Sequence, residues 1–177
     1  MRLNILPSFL FLTMLMACAS GRVNYDYDPD ANFASLKTFD WMQAPEKAGV
    51  NRLVVQRVKN AVNAELKAKG LMMTSNNPDF LIAQHLGKKD RVQISDYGYG
   101  YAGHRGYRGG YRGGISAYTF EEGSLILDFV DAKSKQLIWR GSAKAQVDNI
   151  DTPEKSEKLI NAAVKEILKK YPPSSSK

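Results

Sequence analysis

Apolar and polar residues alternate along several parts of the chain, with the two-residue period of strands that bury one face. The alternation is clearest over residues 23–28 and 137–147. Residues 36–42, 79–87 and 118–130 are further predicted strands, and residues 90–96 continue the strand 79–87. Within 118–130 the apolar set moves from even to odd positions, which predicts a β-bulge at Gly123. In the last strand only Ile138 breaks the pattern.

Two other stretches have a helical period. The first begins near Asn51, which can cap a helix, and ends near Gly70. The second begins at Thr152-Pro153, a capping hydroxyl followed by proline, and stops at residues 171–173. The apolar stripe of the last helix could be a partner-binding face, but such a stripe is more often core, and core is our prediction.

This order of elements, two strands, a helix, several strands and a helix, predicts an α+β fold. A largely antiparallel sheet with two amphipathic helices packed on one face is the simplest way to bury both helical stripes. We expect one domain over residues 23–173, because the chain has 177 residues of which 44% are hydrophobic. Residues 174–177 are expected to be a disordered tail.

The N-terminal residues predict export. Arg2 precedes an apolar run that is too short to span a bilayer, as expected of a cleavable signal peptide over residues 1–17. Leu15-Met16-Ala17-Cys18 resembles the lipobox of bacterial lipoproteins. That resemblance implies that Cys18 carries a diacylglycerol thioether, becomes the first mature residue and is often acylated further, for instance with palmitate. Residues 18–22 would then be a lipidated tether.

The alternative is a buried free cysteine at the edge of a signal or membrane helix, which the position of Cys18 at the end of the apolar run disfavours. Ala19 follows it, where the family's inner-membrane proteins commonly have aspartate, so the resemblance implies the outer membrane, facing the periplasm. Cys18 is the single cysteine. Once it is lipidated, no thiol remains for a disulfide or a zinc site.

Residues 97–114 form a low-complexity loop of glycine, tyrosine and arginine. Residues 87–114 hold six basic and two acidic residues, which is most of the excess positive charge of the chain. Five side chains could contact an anionic envelope surface, namely lipid headgroups, lipid A or peptidoglycan: Arg105, Arg108, Arg112, Tyr107 and Tyr111. The alternative is a disordered hairpin tip without a partner. Binding of nucleic acid is not expected of an exported protein, although arginine beside aromatic residues is typical of it.

The remaining titratable residues do not predict catalysis. The two histidines are far apart in sequence, and we expect His85 to be packed or half-exposed in a strand and His104 to lie in the loop. No metal site and no cofactor are predicted. Glu121 and Glu122 should point to opposite faces, and the nearby Asp128 and Asp131 are interpreted as solvated strand edges and turn residues rather than an acid–base pair.

Four segments of the chain resemble a bacterial lipoprotein family, the domain of unknown function 4136. They are YDYDPDANFASLKTFDW, PDFLIAQH, EEGSLILDFVDAKSKQLIWRGSA and PEKSEKLINAAVKEILKKYPP. The resemblance covers residues 23 to 173, and it implies an envelope lipoprotein with an α+β domain and no assigned catalytic residues.

We therefore expect a lipid-anchored cell-envelope protein that is not an enzyme and has a structural or binding role. The alternative is a small periplasmic enzyme or ligand-binding domain that uses the open face of the sheet. A polar pocket with converging carboxylates or histidines would favour that alternative.

Overall fold

A computed structural model of the protein describes residues 22–43, 51–96 and 115–174, without the side chains of 93–96 and 115–117. Among these residues the structure has six strands, two helices and one 3₁₀ turn. They are β1 (Arg22–Tyr27), the 3₁₀ turn (Phe33–Ser35), β2 (Thr38–Trp41), α1 (Arg52–Ala68), β3 (Met72–Met73), β4 (Phe80–Asp96), β5 (Ile115–Asp131), β6 (Leu137–Gln146) and α2 (Pro153–Leu168).

The fold class is α+β, as predicted, but the sheet is mixed. Its strand order is β1-β6-β5-β4-β2-β3. The first four strands pair antiparallel, whereas β2 pairs parallel with both β4 and β3. The expectation of a largely antiparallel sheet is therefore wrong at this edge. The reason is the connection through α1, since a helix between two neighbouring strands returns the chain in the same direction.

Both helices begin where the sequence predicts. Asn51 caps α1 by accepting a hydrogen bond of 2.9 Å from the backbone N–H of Leu53. Thr152 caps α2 by accepting one of 3.2 Å from Lys155, with Pro153 as the first helical residue. Gly70 follows α1 with a φ of 84°, a left-handed conformation that glycine adopts without strain.

Residues of both helices share one buried cluster with alternate residues of the strands. Val58, Val62 and Leu66 of α1 and Val164, Ile167 and Leu168 of α2 belong to it. α1 contacts α2 and β3, while α2 also contacts β6 and β1. We define the first face of the sheet by its residues in this cluster, which are Phe39, Phe80, Ile82, Leu125, Leu127, Phe129, Trp139 and Ala143. The other side is called the second face.

The β-bulge predicted at Gly123 is wrong. Gly123 pairs with Lys88 in a register that runs without interruption through β4 and β5. The irregularity lies instead where β5 meets β6: Phe129 pairs with Trp139 and Val130 with Leu137, so Ile138 is the extra residue. No change of face is needed at Gly123, because Tyr118 and Phe120 lie on the second face while Leu125 and Leu127 lie on the first.

β4 and β5 continue together beyond their neighbours. They pair from Phe80–Asp131 to Asp96–Ile115, whereas the β6 ladder ends at Glu122–Gln146 and the β2 ladder at Trp41–Ile82. We call the outer part of this hairpin, residues 89–96 and 115–122, the arm. The loop 97–114 is covalently joined to both strands at its end.

Candidate functional site

The residues for which the sequence predicts a chemical role lie outside the described residues. This applies to Cys18, to His104 and to the five loop residues Arg105, Tyr107, Arg108, Tyr111 and Arg112. Their roles therefore stay predictions. The candidate site that can be built from contacts is on the second face, where three central strands bring charged side chains together.

Asp128 is the centre of this charged cluster. Its carboxylate receives two hydrogen bonds from Arg140 of β6, from Nε at 2.6 Å and from Nη2 at 2.7 Å. His85 of β4 lies on the other side, with Nε2 3.0 Å from Asp128 Oδ2. The sheet register produces this meeting, since Asp128 pairs directly with Arg140, and His85 is a diagonal neighbour on the adjacent strand.

Burial in the cluster is uneven. The side chain of Asp128 is 8% exposed, whereas those of Arg140 and His85 are 50% and 45% exposed. The pKa of Arg140 is raised. The main cause is its hydrogen bonding to Asp128, followed by the charge of Asp128 and, to a lesser degree, the charge of Asp26. Asp26 of β1 pairs with Arg140 of β6, so Asp26, Arg140 and Asp128 form a row of alternating charge over three strands, and His85 of β4 lies next to that row.

The geometry defines what the cluster can do. The carboxylate of Asp128 is occupied by Arg140 and orients His85, while the outer N–H groups of Arg140 and the second nitrogen of His85 face solvent. The outer N–H groups of Arg140 can donate to a small anion, and the second nitrogen of His85 can do so only when the imidazole is protonated. This arrangement suits anion binding rather than a nucleophile with its base. Within residues 22–43, 51–96 and 115–174, no three His, Cys, Asp or Glu side chains come together as metal ligands.

The structure separates the four carboxylates that the sequence brought to attention. Glu121 and Glu122 point to opposite faces, as predicted: Glu121 pairs with Lys88, and Glu122 pairs with Arg91 and Lys144. Asp131 caps the β5–β6 turn. The hydrogen bond from the backbone N–H of Ser134 lowers the pKa of Asp131 and outweighs the opposite effect of its partial burial. The expectation for Asp128 is wrong, since it is a buried residue of a central strand and not a solvated edge.

Sequence reasoning therefore missed Asp128 and Arg140, although one signal was present. Asp128 stands between Leu127 and Phe129 in the most apolar strand, where a charge requires a partner. His85 is half-exposed, as predicted, but its contact with Asp128 was not foreseen.

A second concave site lies between β2 and α1. It is a shallow groove of about 610 Å³ lined by Asp40, Trp41, Met42, Gln43, Gln56, Lys59, Asn63 and Met73. Trp41 forms its floor, held by a 3.0 Å hydrogen bond from Nε1 to Asn63 and by Lys59 Nζ 5.2 Å from the ring. Among its described lining residues Asp40 is the one carboxylate, and none is a histidine.

Comparison with known families decides the classification of the chain. A family profile described as "Domain of unknown function (DUF4136)" matches residues 23–173. The chain belongs to this family. The match includes every described strand and helix from Val23 onward, and it confirms the resemblance seen in the sequence. Since the family has no assigned function, membership in DUF4136 carries no activity with it. No curated protein matches the chain.

Solved structures resemble this DUF4136 chain at low sequence identity. A PDZ domain protein from Parabacteroides distasonis matches with a TM-score of 0.58 and 15% identity, over 87% of this chain but 36% of the other. Two crystal forms of the PelC dodecamer from Paraburkholderia phytofirmans match with TM-scores of 0.44 and 0.41 at 10% and 9% identity, each over 84% of this chain and 94% of PelC. The first likeness supports the fold alone. This chain spans about a third of that protein.

Proposed function

We propose that this DUF4136 chain is a lipid-anchored envelope protein that binds rather than catalyses. In this proposal Cys18 carries the lipid, the protein is at the outer membrane facing the periplasm, and residues 97–114 contact an anionic envelope surface. Residues of both helices share the buried cluster with the first face of the sheet, and none of the described helical residues in that cluster joins the second face. No helix among the described residues is long and apolar enough to cross a bilayer.

One structural observation supports the proposal: the start of β1, to which the expected anchor is joined, lies at the end of the sheet from which the arm extends. Arg22 pairs with Lys144, Lys144 with Ser124 and Ser124 with Gly87, so the first residue of β1 is level with the base of the arm. Because β1 and β4 run in opposite directions, the start of β1 and the end of β4 point the same way.

The lengths of the two segments are compatible with this arrangement. The four residues from Cys18 to Arg22 can span at most about 14 Å. The part of β4 from Gly87 to Asp96, which includes the arm, extends for about 30 Å. Twist over three strand steps inclines it to β1 by about 60–75°, and this reduces its reach along β1 to about 8–15 Å. A membrane within reach of the tether is therefore also within reach of the arm and of the loop joined to it.

Labelling with a fatty acid tests the anchor. Cells expressing the chain are fed a radioactive or clickable fatty acid, and the chain is compared with Cys18→Ser. We expect label in the original chain and its loss in Cys18→Ser, together with a shift from the outer-membrane fraction to the soluble or unprocessed fraction. An unlabelled original chain would refute the lipoprotein assignment.

Replacement of residues 97–114 by a two-residue Asn-Gly turn tests the loop. The pairing of Asp96 with Ile115 leaves a hairpin that such a turn can close. We expect the replacement to weaken sedimentation with anionic vesicles, most clearly at low salt, because the arginine–phosphate attraction is screened. Equal sedimentation of the two chains at low salt would contradict a role for the loop.

The second face favours a second candidate function, recognition of a small anion by Arg140 and His85. The half-exposed guanidinium of Arg140, held by a buried carboxylate beside a half-exposed imidazole, supports it, with His85 adding a donor when its ring is protonated. Inorganic phosphate should then raise the unfolding temperature of the chain and not that of His85→Ala. Equal shifts in the two proteins would exclude this site.

A further inference from the structure

The second face of the arm differs chemically from the rest of the sheet. Cations lie on one strand and aromatic rings on the other, since Lys89 and Arg91 belong to β4 and Tyr118 and Phe120 to β5. Arg91 pairs with Phe120 in the ladder, and Lys144 of β6 reaches the same surface. We call these five residues the arm surface.

The aromatic residues of the arm surface are arranged for contact outside the domain. The rings of Tyr118 and Phe120 stack with centroids 6.3 Å apart and an angle of 14° between their planes. Tyr118 is 56% exposed and is not among the residues that pack against the buried cluster. A large exposed ring with a polar tip suits the boundary between water and lipid, where its apolar body and its hydroxyl are both accommodated.

The charges of the arm surface are partly compensated. Glu122 pairs with Arg91 at 3.1 Å and with Lys144 at 3.6 Å. Partial desolvation acts to raise the pKa of Glu122. The hydrogen bond and charge of Arg91, together with the charge of Lys144, outweigh it, so the pKa of Glu122 is lowered. Asp148 lies close by, through a hydrogen bond from Gln146. Three cations thus face two carboxylates, which leaves a net positive surface.

Lys89 supplies that excess positive charge. It is exposed, and no ion pair joins it to another side chain in the part of the chain that the structure describes. The loop that continues from the arm adds three arginines and no acidic residue over 97–114. Lys89, Arg91 and the three loop arginines therefore bring positive charge to the end of the sheet where the anchor is expected, while the arm also carries Asp90 and Asp96.

We propose that the arm surface is a docking site for a bilayer that carries anionic phospholipid headgroups. Lys89 and Arg91 contact lipid phosphates, and the Tyr118–Phe120 pair lies at the headgroup level. The inference rests on the proposed envelope function and deepens it. It places the contact on four named side chains of the arm, and it does not require Cys18 to be lipidated.

The test uses a chain that begins at Ala19, so that neither an acyl group nor the leader contributes to binding. This chain keeps every described element and the whole buried cluster. Circular dichroism and thermal unfolding establish that each variant is folded. Binding is measured by sedimentation with vesicles of phosphatidylethanolamine and phosphatidylglycerol, and with vesicles of phosphatidylethanolamine and phosphatidylcholine.

Two substitutions are each matched to a control. Lys89→Gln should weaken binding to the anionic vesicles about fivefold, which is the effect of one cation near a charged surface. Its control, Lys158→Gln at an exposed position of α2, should leave binding unchanged. Tyr118→Ser should weaken binding severalfold, and Leu137→Ser, a large exposed residue at the opposite end of the sheet, should not.

Several outcomes would overturn the inference. They are equal binding to both kinds of vesicle, equal effects of the test and control substitutions, and no sedimentation with anionic vesicles. Retention by sedimented peptidoglycan in place of vesicles would show that the arm binds a different surface. Because these measurements omit Cys18, a failure here is distinct from a failure of the fatty-acid labelling, which tests the anchor alone.

Discussion

Arg140 donates two hydrogen bonds to Asp128, at 2.6 and 2.7 Å, across neighbouring strands on the second face of the sheet. The carboxylate is nearly inaccessible, and the guanidinium is half-exposed. This arrangement makes Arg140 the main counterion of a buried charge in a central strand, so its removal has a cost that its own exposure would not suggest.

Replacing Arg140 with Gln should lower the free energy of unfolding by about 1–3 kcal/mol, because Asp128 then keeps its burial but loses a bidentate partner. Denaturant unfolding measures the loss. The control is Lys144→Gln on the same strand and face, which should change stability by less than about 1 kcal/mol, since its ion pair is exposed.

A double-mutant cycle with Asp128→Asn isolates the pair. In the Asp128→Asn background the further change Arg140→Gln should cost less, because the buried charge is already absent. Equal costs of Arg140→Gln in both backgrounds would show that the two side chains are not coupled.

Asp79 should make the stability of the fold depend on pH. Its Oδ2 accepts hydrogen bonds of 2.8 Å from the backbone of Lys37 and from both the backbone and the hydroxyl of Thr38. The pKa of Asp79 is lowered, mainly by the hydrogen bond from the backbone of Lys37. The hydrogen bonds from Thr38 and the charge of Lys133 add to this effect, which outweighs the partial burial of Asp79. Asp79→Asn should therefore destabilise the protein by about 1–3 kcal/mol near neutral pH.

The sign of the pH effect follows from the lowered pKa. The contribution of Asp79 is fully present above the pKa of the unfolded chain, about 4, and is lost as pH falls through the lower folded value. The difference in stability between the original chain and Asp79→Asn should therefore shrink in acid. Asp30→Asn, at an exposed turn, is the control. A difference that is the same at about pH 7 and about pH 3 would contradict this assignment.

Gly141 should not tolerate a side chain. A Cβ atom there would collide with the ring of Trp139 and with Cγ2 of Ile167 in α2. Both neighbours are fully buried, so Gly141→Ala should destabilise by about 1–3 kcal/mol through overpacking. Thermal unfolding can compare it with Ser142→Ala, which adds no atoms on the opposite face. An unchanged unfolding temperature in Gly141→Ala would mean that α2 is free to move away from β6.

The cap of α2 gives a fourth prediction. Thr152→Ala removes the oxygen that accepts the hydrogen bond from Lys155, and it should lower stability by about 1 kcal/mol. Thr152→Ser keeps that oxygen and should lie close to the original protein. If both substitutions had the same effect, the methyl group rather than the hydroxyl of Thr152 would be the cause.

The sequence predicts local features well, because they depend on residues near one another. The caps at Asn51 and Thr152, the end of α1 at Gly70 and the opposite faces of Glu121 and Glu122 follow from spacing alone. The parallel pairing of β2 with β4 could not be read in this way. It depends on where α1 returns the chain, which is a property of the whole sheet.

The site on the second face shows where sequence alone stops. The turn fixes Val130 opposite Leu137, and without a bulge this spacing would place Trp139, not Arg140, opposite Asp128. The apolar residues of β5 and β6 can meet on the first face only after a shift of one residue, which Ile138 provides. The sequence by itself determined both helices, their caps, the longer strands and the family, but not the short strand β3. The tertiary structure decided which charges meet, because burying Phe129 against Trp139 sets the register that joins Asp128 to Arg140.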